Sequence, residues 1–398
     1  MSKQRKITAA KKAALAKKRR KQRRRKRRTL IVIELLLLII LSVTAFAVSK
    51  ITKMKKVSFN SNDIKINDSV LKKDGYTTVA LFGTDSREGD LGKGTRTDTM
   101  MIASINNKTK EIRIASIYRD TLLEQMDGTY NKANSAYFAD GPKGAINMLN
   151  KNLDLDIEDY VTVDFKAMAD VIDLIGGIKI KLTDAEANML NEYLGETARA
   201  AGKKAKEISG GGVHELDGSQ AVTYARLRKL EGGDYKRTER QRTVIKAIFA
   251  KATKMDIGTI NKIIDKVFPQ ISTSFDMSDI LGLATGVTQY KLGDNTGFPF
   301  DKTDGIMYSN CGDCVVALGL KENVEELHEF LYPDEETTGV SETVQDISNS
   351  ISSLTGVTRP ASLDQEQSED GTMNENSSED EETSTAVSNK PVISTSDE

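Results

Sequence analysis

Apolar and polar residues follow two different periods along the middle of the chain. Five segments alternate or run apolar in the manner of β-strands: YTTVALFG (76–83), TMMIASIN (99–106), EIRIASIY (111–118), YVTVDF (160–165) and IKIKL (178–182). Six others repeat apolar residues at helical spacing: GPKGAINMLNKNL (141–153), DFKAMADVIDLIG (164–176), LTDAEANMLNEYLG (182–195), DGSQAVTYARLR (217–228), RTERQRTVIKAIFAKATK (237–254) and NVEELHEFLYP (323–333). Strands interleaved with helices predict an α/β domain whose mixed central sheet is flanked by helices on both faces.

A longer apolar run precedes these elements. Residues 30–48 carry a single charge, Glu34, and as a helix they would span roughly 28 Å, close to the hydrocarbon thickness of a bilayer. We therefore expect one transmembrane helix over residues 29–49. Ala45 and Ala47 leave a cleaved signal peptide as the alternative, although the run is longer than the usual apolar core of such a peptide.

The first 28 residues contain sixteen Lys or Arg and no acid, which the formal net charge of −1 conceals. The positive-inside rule keeps such a segment in the cytoplasm, so everything beyond residue 50 would lie outside. A nucleic-acid-binding arm is the alternative explanation. Because the run abuts the apolar span and contains no aromatic residue, we expect it to contact membrane lipids and no nucleic acid.

These observations predict five regions and a single-pass protein of the cell membrane, with a cytoplasmic N-terminus and an extracytoplasmic C-terminal domain. The regions are a basic cytoplasmic segment (1–28), the transmembrane helix (29–49), a polar stalk (50–75), one large extracytoplasmic domain (76–333) and an acidic disordered tail (334–398). The tail assignment rests on composition, because this stretch has sixteen acidic and two basic residues and few apolar ones.

Arginine and aspartate recur at the ends of the predicted strands and again in two later helices. The residues concerned, with one glutamine, are Asp85, Arg87, Arg96, Asp98, Arg119, Asp120, Arg226, Arg228, Asp234, Arg237, Arg240 and Gln241. For any single Arg–Asp pair, a structural salt bridge is the simpler explanation. Loops at the carboxyl ends of strands nevertheless converge on one side of an α/β sheet, where ligands bind.

Several guanidiniums brought together in this way would repel one another unless they shared an anion. Each offers a rigid fork of donors that suits phosphate oxygens. Two carboxylates beside such a polyanion, Asp85 and Asp98, suit Mg²⁺, which takes one or two carboxylates together with phosphate oxygens. Arg237 and Gln241 lie on one helical face that Val244 and Ile248 continue, so we expect a pocket with a charged mouth and an apolar throat.

Two other kinds of chemistry have little support in the sequence. It contains no G-x-S-x-G motif and only two histidines, which disfavours a serine or cysteine hydrolase. Cys311 and Cys314 form a CGDC motif without a second pair that could complete a zinc site. Outside the cytoplasm we expect a local disulfide between them, with a free or functional thiol pair as the alternative.

The chain resembles the LytR-CpsA-Psr family of cell-wall glycopolymer ligases. The motifs that carry the resemblance fall in the family's order over the N-terminal span and about residues 76–255: LFGTDSRE, GTRTDTMMI, SIYRDT, KANSAY, VIDLIGG, LDGSQAVTYARLR and DYKRTERQR. Such a series implies an extracytoplasmic α/β domain that binds a polyprenyl pyrophosphate and transfers the attached glycopolymer to peptidoglycan. One position departs from the family's pattern, because the residue before Arg119, often proline in the family, is Tyr118.

Carried onto matching positions, the resemblance implies roles for individual residues. Asp85 and Asp98 would hold Mg²⁺, and Asp234 would orient the last arginines. The expected catalytic residues are Asp85, Arg96, Asp98 and Arg119. The expected substrate-binding residues are Arg87, Arg226, Arg228, Asp234, Arg237 and Gln241.

The expected function is that of a Mg²⁺-dependent phosphotransferase. It would move a glycopolymer of the teichoic acid or capsular type from a polyprenyl-pyrophosphate carrier to peptidoglycan, by positioning and charge neutralisation. A non-catalytic regulator of wall assembly that binds the same lipid is the alternative, whereas a transcriptional regulator is disfavoured by the topology. The sequence identifies neither the polymer nor the general base, for which Asp120, Asp85 and Asp98 are all candidates.

Overall fold

The computed structural model of the chain describes residues 55–56, 63–68, 70, 72–86, 90–276, 279–280, 282–283, 286–336 and 339–363. The predicted basic segment, the predicted transmembrane helix and Arg87 lie outside these residues, as do residues 364–398 of the predicted tail. Within the described ranges, no helix combines the length and the apolar character needed to cross a membrane.

Among the described residues, the strands form one large sheet and three two-stranded ribbons. They are β1 (Lys55–Lys56), β2 (Tyr76–Thr84), β3 (Thr97–Asn106), β4 (Glu111–Ile117), β5 (Leu122–Glu124), β6 (Tyr130–Lys132), β7 (Asp159–Asp164), β8 (Ile178–Leu182), β9 (Gly212–Leu216), β10 (Ser272–Thr273), β11 (Lys291–Phe298), β12 (Lys302–Tyr308) and β13 (Gly312–Ala317).

The central sheet is mixed, as predicted, with strand order β1-β10-β7-β2-β3-β4-β11. Strand β3 is antiparallel to both of its neighbours, β2 and β4, whereas β7 runs parallel to β2 and β11 parallel to β4. The predicted strand IKIKL is also present as β8, but it pairs with β9 in a separate ribbon. Its alternating burial, with two exposed lysines, suits a ribbon that has one face in solvent.

Helices connect these strands within the described ranges. They are α1 (Asn134–Leu153), α2 (Phe165–Leu174), α3 (Asp184–Ala200), α4 (Gly218–Arg226), α5 (Gly233–Ala252), α6 (Ile257–Val267), α7 (Leu320–Leu331) and α8 (Glu342–Thr355).

Helices pack on both faces of the central sheet. Met100 and Ile102 of β3 join the main core, which α1, α7 and α8 complete. Met101, between them, points to the other face, where it packs with Ile245 of α5. Because both faces are covered, β3 carries apolar residues at consecutive positions, and this is why its sequence reads as a continuous apolar run.

Helix α1 is kinked, and the kink fixes the loop that leads into β3. Asp140 and Gly141 leave the helical conformation, and Pro142 starts the second part of the helix, as proline commonly does. Gly141 has a φ of 62°, and a Cβ there would lie 3.2 Å from the backbone nitrogen of Lys93. Glycine therefore allows residues 90–96 to lie directly against the helix, where Gly94 N donates to Phe138 O at 2.8 Å.

The described residues extend the packed part of the chain past the boundaries that the sequence suggests for the stalk and the tail. Lys65 N donates to Asn147 Oδ1 at 2.8 Å, so the last part of the predicted stalk lies against α1. Helix α8 falls in the predicted tail but belongs to the same compact unit, which runs to Val357. Val344, Ile347 and Ile351 recur at helical spacing and are buried, although serine and acidic residues dominate the composition around them. Residues 358–363 belong to a second unit.

Truncating Ile347 to alanine should reveal the contribution of α8 to stability. Ile347 is 2% exposed and packs in the main core, so Ile347→Ala should lower the free energy of unfolding by about 2–5 kcal/mol. Leu354, on the same helix but 48% exposed, is the matched control, with an expected change within about 0.5 kcal/mol. Urea unfolding of the detergent-solubilised chain measures both, and equal effects would contradict the packing of α8.

Candidate functional site

Two of the sequence motifs meet at one end of strands β2 and β3. Their antiparallel pairing closes with Thr84 opposite Thr97, which places Asp85 just after β2 and Asp98 just inside β3. Asp85 N donates to Arg96 O at 3.4 Å. The strand pairing therefore brings the two aspartates close together in space, and both carboxylates lie at the same end of the sheet.

Arg119 extends this group from the neighbouring strand. It follows β4 by two residues, and its Nη1 donates to Asp98 Oδ1. Its Nε lies 3.4 Å from Asp120 Oδ2 and 3.3 Å from Asp234 Oδ2. Burial opposes protonation of this guanidinium, but the carboxylates of Asp234, Asp98 and Asp120 together outweigh burial and raise the pKa of Arg119. One cation is thus shared by three carboxylates.

Asp234, in the first turn of α5, contacts three guanidiniums. Its Oδ2 accepts from Arg237 Nη2 at 2.7 Å and lies near Arg119, while its Oδ1 is 3.1 Å from Arg228 Nε. That last contact is an ion pair without hydrogen-bond alignment, since Oδ1 has no hydrogen-bond partner in the described part of the chain. The carboxylate of Asp234 therefore holds together arginines that come from three separate segments.

Arg237 is the most deeply buried charge of the site. It is 3% exposed, and its Nε finds no hydrogen-bond partner among the residues that the structure describes. Burial, together with the charge of Arg119, lowers the pKa of Arg237, although a guanidinium stays protonated at neutral pH. A buried donor without an acceptor costs about 1–3 kcal/mol, which an anion bound at this position would offset.

The cluster forms the mouth of a cavity that we call the apolar throat. Its volume is about 510 Å³. Six of the predicted site residues line it, namely Asp85, Asp98, Arg226, Arg228, Arg237 and Gln241. The remaining lining is mainly apolar and includes Met101, Val163, Val171, Val222, Val244 and Ile248. The face of α5 that begins with Arg237 and Gln241 thus continues into apolar lining, as its periodicity predicts.

The structure does not bring all the predicted residues into this throat. Arg96 and Arg119 line a second, adjacent cavity of about 960 Å³, which we call the polar cavity. There the guanidinium of Arg96 lies 6.0 Å from the ring centre of Phe138. Arg240, part of the same sequence motif as Arg237, instead donates to Glu186 Oε1 at 2.8 Å and is structural.

Sequence analysis assigned no role in the site to four residues that contact the clustered arginines or couple their loops. The rings of Tyr118 and Tyr235 meet edge to face with centres 4.8 Å apart, and Lys302 Nζ lies 5.2 and 5.3 Å from them. These tyrosines adjoin Arg119 and Asp234, so their contact ties together the two segments that form the cluster. Tyr118 could be noticed as a departure from the family's pattern, whereas Lys302 has no signal in the sequence. Phe165, also missed, has the Arg226 guanidinium 4.4 Å from its ring centre.

Asp85 and Asp98 form a donor set that fits Mg²⁺ beside a phosphate. Both line the mouth of the throat, with Asp85 Oδ2 3.8 Å from Arg226 Nη2 and Asp98 bonded to Arg119. In the described ranges, no three acidic, histidine or cysteine side chains group closely enough to hold a metal by themselves. Two carboxylates completed by phosphate oxygens are an arrangement that Mg²⁺ commonly adopts.

The expected disulfide is absent from the structure, in which Cys311 and Cys314 are both free. Cys311 ends a short helical turn and lines the polar cavity, while Cys314 lies in β13 and packs into the main core. Burial raises the pKa of the Cys314 thiol to about 11, so that it stays protonated at neutral pH.

Replacing Asp234 by asparagine should destabilise the protein in a way that an anion reverses. The change leaves Arg119, Arg228 and Arg237 without their shared carboxylate. We expect a loss of about 2–3 kcal/mol, below the value for a fully buried pair because Asp234 is partly exposed. Thermal unfolding should show a larger stabilisation by inorganic pyrophosphate in Asp234→Asn than in the wild type.

Glu239→Gln is the matched control for this prediction. Glu239 lies on the same helix and pairs with Lys236 at 2.8 Å, but both side chains are 55% exposed. Its loss should change stability by less than about 1 kcal/mol and leave the response to pyrophosphate unaltered. If the two variants behaved alike, the cluster around Asp234 would be an ordinary surface salt-bridge network.

Comparison with known proteins identifies relatives of this chain. A model of the LytR_cpsA_psr family matches residues 39–297. A protein of Bacillus subtilis strain 168 named polyisoprenyl-teichoic acid–peptidoglycan teichoic acid transferase TagU is 29% identical over 297 residues, which cover 72% of this chain and 87% of that one.

Two solved structures of a further protein, TagT, have the same fold. TagT bound to LI-WTA superposes with a TM-score of 0.55 at 20% identity and covers 70% of this chain and 98% of that one. TagT with bound octaprenyl pyrophosphate superposes with a TM-score of 0.51 at 20% identity, covering 69% and 99%. At this identity the superpositions establish the α/β architecture.

Proposed function

Because the chain belongs to the LytR-CpsA-Psr family, we propose that it moves a glycopolymer from a polyprenyl-pyrophosphate carrier to peptidoglycan. The glycopolymer would be of the teichoic acid or capsular type. One observation supports this most strongly: the buried Arg237, with an Nε that lacks an acceptor in the described residues, stands at the mouth of an apolar throat. A ligand that suits both features carries a polyanionic head on a long apolar chain.

The side chains of the cluster have distinct roles in the proposed reaction. The throat binds the isoprenoid chain, and Arg226, Arg228 and Arg237 hold the diphosphate by charge-assisted hydrogen bonds. An acceptor hydroxyl attacks the phosphorus that bears the glycopolymer. A phosphorus–oxygen bond to the acceptor forms, the bond to the lipid phosphate breaks, and the hydroxyl proton passes to a base. Arg119 and its neighbours neutralise charge that develops on the phosphate oxygens.

Dependence on Mg²⁺ is part of this proposal. Asp85 and Asp98 would hold the ion, since both carboxylates line the mouth where the diphosphate is expected. Without a cation, these two acids would repel the phosphates that the arginines attract. When bound, Mg²⁺ would supply further neutralisation of the phosphate charge.

A location at the membrane also follows from the proposal. A donor with an isoprenoid chain is membrane-bound, and the apolar run at residues 30–48 would hold the enzyme beside it. The basic segment would face the cytoplasm and the catalytic domain the outside. Protease added to wall-stripped cells should digest the domain and spare the basic segment, and protection of the domain would contradict this topology.

A turnover assay distinguishes an enzyme from a regulator. Full-length protein in detergent is incubated with a labelled polyprenyl-diphosphate-linked polymer, purified peptidoglycan and Mg²⁺. We expect label to enter peptidoglycan with release of one polyprenyl phosphate for each polymer transferred. Tight donor binding without release of polyprenyl phosphate would favour the non-catalytic regulator, and absence of donor binding would exclude both functions.

A further inference from the structure

We propose that the polar cavity binds the glycan strand of the acceptor, a β-1,4-linked chain of N-acetylhexosamines, and presents its hydroxyl to the phosphate held at the throat. This inference rests on the proposed function and adds to it the place where the second substrate binds. The family match and the superpositions do not identify that place.

An ion pair joins the linings of the two cavities. Arg119 lines the polar cavity and donates to Asp98, which lines the apolar throat. The side chain of Arg119 is 15% exposed, and its Nε lies 3.4 Å from Oδ2 of Asp120, another residue of the polar cavity. A group bound in the polar cavity against Arg119 is therefore adjacent to a phosphate at the mouth of the throat.

The geometry of phosphoryl transfer places the acceptor on this side. Attacking and leaving oxygens lie roughly in line on opposite sides of the phosphorus. The leaving group here is the lipid phosphate, whose isoprenoid chain occupies the throat. The acceptor hydroxyl must then approach from outside the throat, and the polar cavity adjoins the arginine cluster there.

The lining of the polar cavity suits a sugar chain. Amide and charged side chains line it, including Asn131, Asn134 and Lys143, and so does the ring of Phe138. Phe138 is 50% exposed, so part of its apolar surface is open to a ligand. Sugars present hydroxyls at their edges and carbon–hydrogen groups on their faces, so polar groups around one aromatic surface complement both.

Phe138 is held in place by the backbone around it. Its carbonyl accepts from Gly94 N at 2.8 Å, and the kink at Gly141 follows three residues later. The guanidinium of Arg96 lies 6.0 Å from the ring centre. Phe138 therefore lies at the point of α1 against which the loop that carries Arg96 toward β3 packs.

Asp120 places a carboxylate on the acceptor side. Of the three candidate bases that the sequence leaves open, Asp85 and Asp98 line the throat, whereas Asp120 lines the polar cavity. Its Oδ1 is 3.0 Å from Lys132 Nζ and its Oδ2 3.4 Å from Arg119 Nε. A hydroxyl entering from the polar cavity thus meets a fixed carboxylate beside Arg119.

The test separates acceptor binding from donor binding in the full-length protein. Phe138→Ala should raise KM for a soluble peptidoglycan glycan about tenfold, while kcat and the Kd for the lipid-linked donor stay within about twofold. Phe138→Tyr, which keeps the ring, should restore the wild-type KM. Met126→Ala, at another partly exposed apolar residue of the cavity, should raise KM in the same direction. Val213→Ala, at an exposed residue outside the cavity, should change nothing.

A second readout does not depend on turnover. Saturation-transfer NMR with N,N′,N″-triacetylchitotriose should detect binding to the donor-free wild type, and the signal should be lost in Phe138→Ala and kept in Phe138→Tyr. Chitotriose binding that Phe138→Ala leaves intact would overturn the proposal. The proposal would also be overturned if Phe138→Ala weakened donor binding and left the KM for the acceptor unchanged, because the cavity would then bind the donor's own glycan. If the wild type transferred no polymer, the proposed function would fail, and the chitotriose experiment would still decide whether the cavity binds glycans.

Discussion

Replacing Arg119 by alanine should reduce polymer transfer by at least about 100-fold. Arg119 is the guanidinium shared by Asp98, Asp120 and Asp234 at the boundary between the two cavities, where charge would develop on the transferred phosphate. Loss of one preorganised donor at such a position commonly lowers kcat by about 10²–10³. Removing its charge-assisted fork should also weaken donor binding, by about 10- to 150-fold for an interaction of about 1.5–3 kcal/mol. Transfer assays and donor titrations measure the two effects separately.

Two further variants make this result specific to Arg119. Arg119→Lys keeps the charge that balances the three carboxylates but removes the planar fork, so donor binding should recover more than transfer does. Arg199→Ala, at an exposed arginine near the end of α3, removes the same side chain outside the site and should leave both quantities unchanged. Wild-type transfer by Arg119→Ala would show that the guanidinium only balances structural carboxylates.

The central part of the fold could be predicted because its strands carry a strong local pattern. Strands β2, β3 and β4 are long and apolar, and the structure has all three where the sequence predicts them. The partner of β8 could not be predicted, since pairing with β9 depends on contacts across the intervening α3. Helix α8 was not predicted, because its sequence has only three buried apolar residues among serines and acids. These residues stabilise a helix only where they can pack against a neighbouring core, and the sequence does not show that core.

For the candidate site too, the sequence predicts what depends on neighbouring strands but not what depends on tertiary packing. The closeness of Asp85 and Asp98 follows from one strand pairing, which the apolar pattern of β2 and β3 already indicates. The motifs alone cannot distinguish Arg237, buried at the throat, from Arg240, which pairs with Glu186. Nor could the sequence place Lys302 beside Tyr118, because the two residues are far apart in the chain. Tertiary packing decides which residues of a motif face a cavity.

Asp98→Asn should separate the binding of the metal from the binding of the lipid. The amide oxygen can still accept from Arg119, but the negative charge facing the phosphates is gone. Donor binding should therefore persist or strengthen, while affinity for Mg²⁺ in the presence of inorganic pyrophosphate falls at least about tenfold. Polymer transfer should fall on the order of 100-fold, because phosphate charge is no longer neutralised by the ion. Isothermal titration with Mg²⁺ measures the metal independently of turnover.

Asp120→Asn is the matched control for this last prediction, because it removes the same charge from beside the same guanidinium. Asp120 approaches Arg119 Nε at 3.4 Å but lines the polar cavity rather than the throat. Asp120→Asn should leave the affinity for Mg²⁺ in the presence of pyrophosphate at the wild-type value, even if polymer transfer falls because a base has been lost. A Mg²⁺ affinity that Asp98→Asn leaves unaltered would rule out Asp98 as a ligand. If both variants weakened Mg²⁺ binding equally, the ion would respond to the total charge around Arg119, and the assignment of Asp85 and Asp98 as its specific ligands would fail.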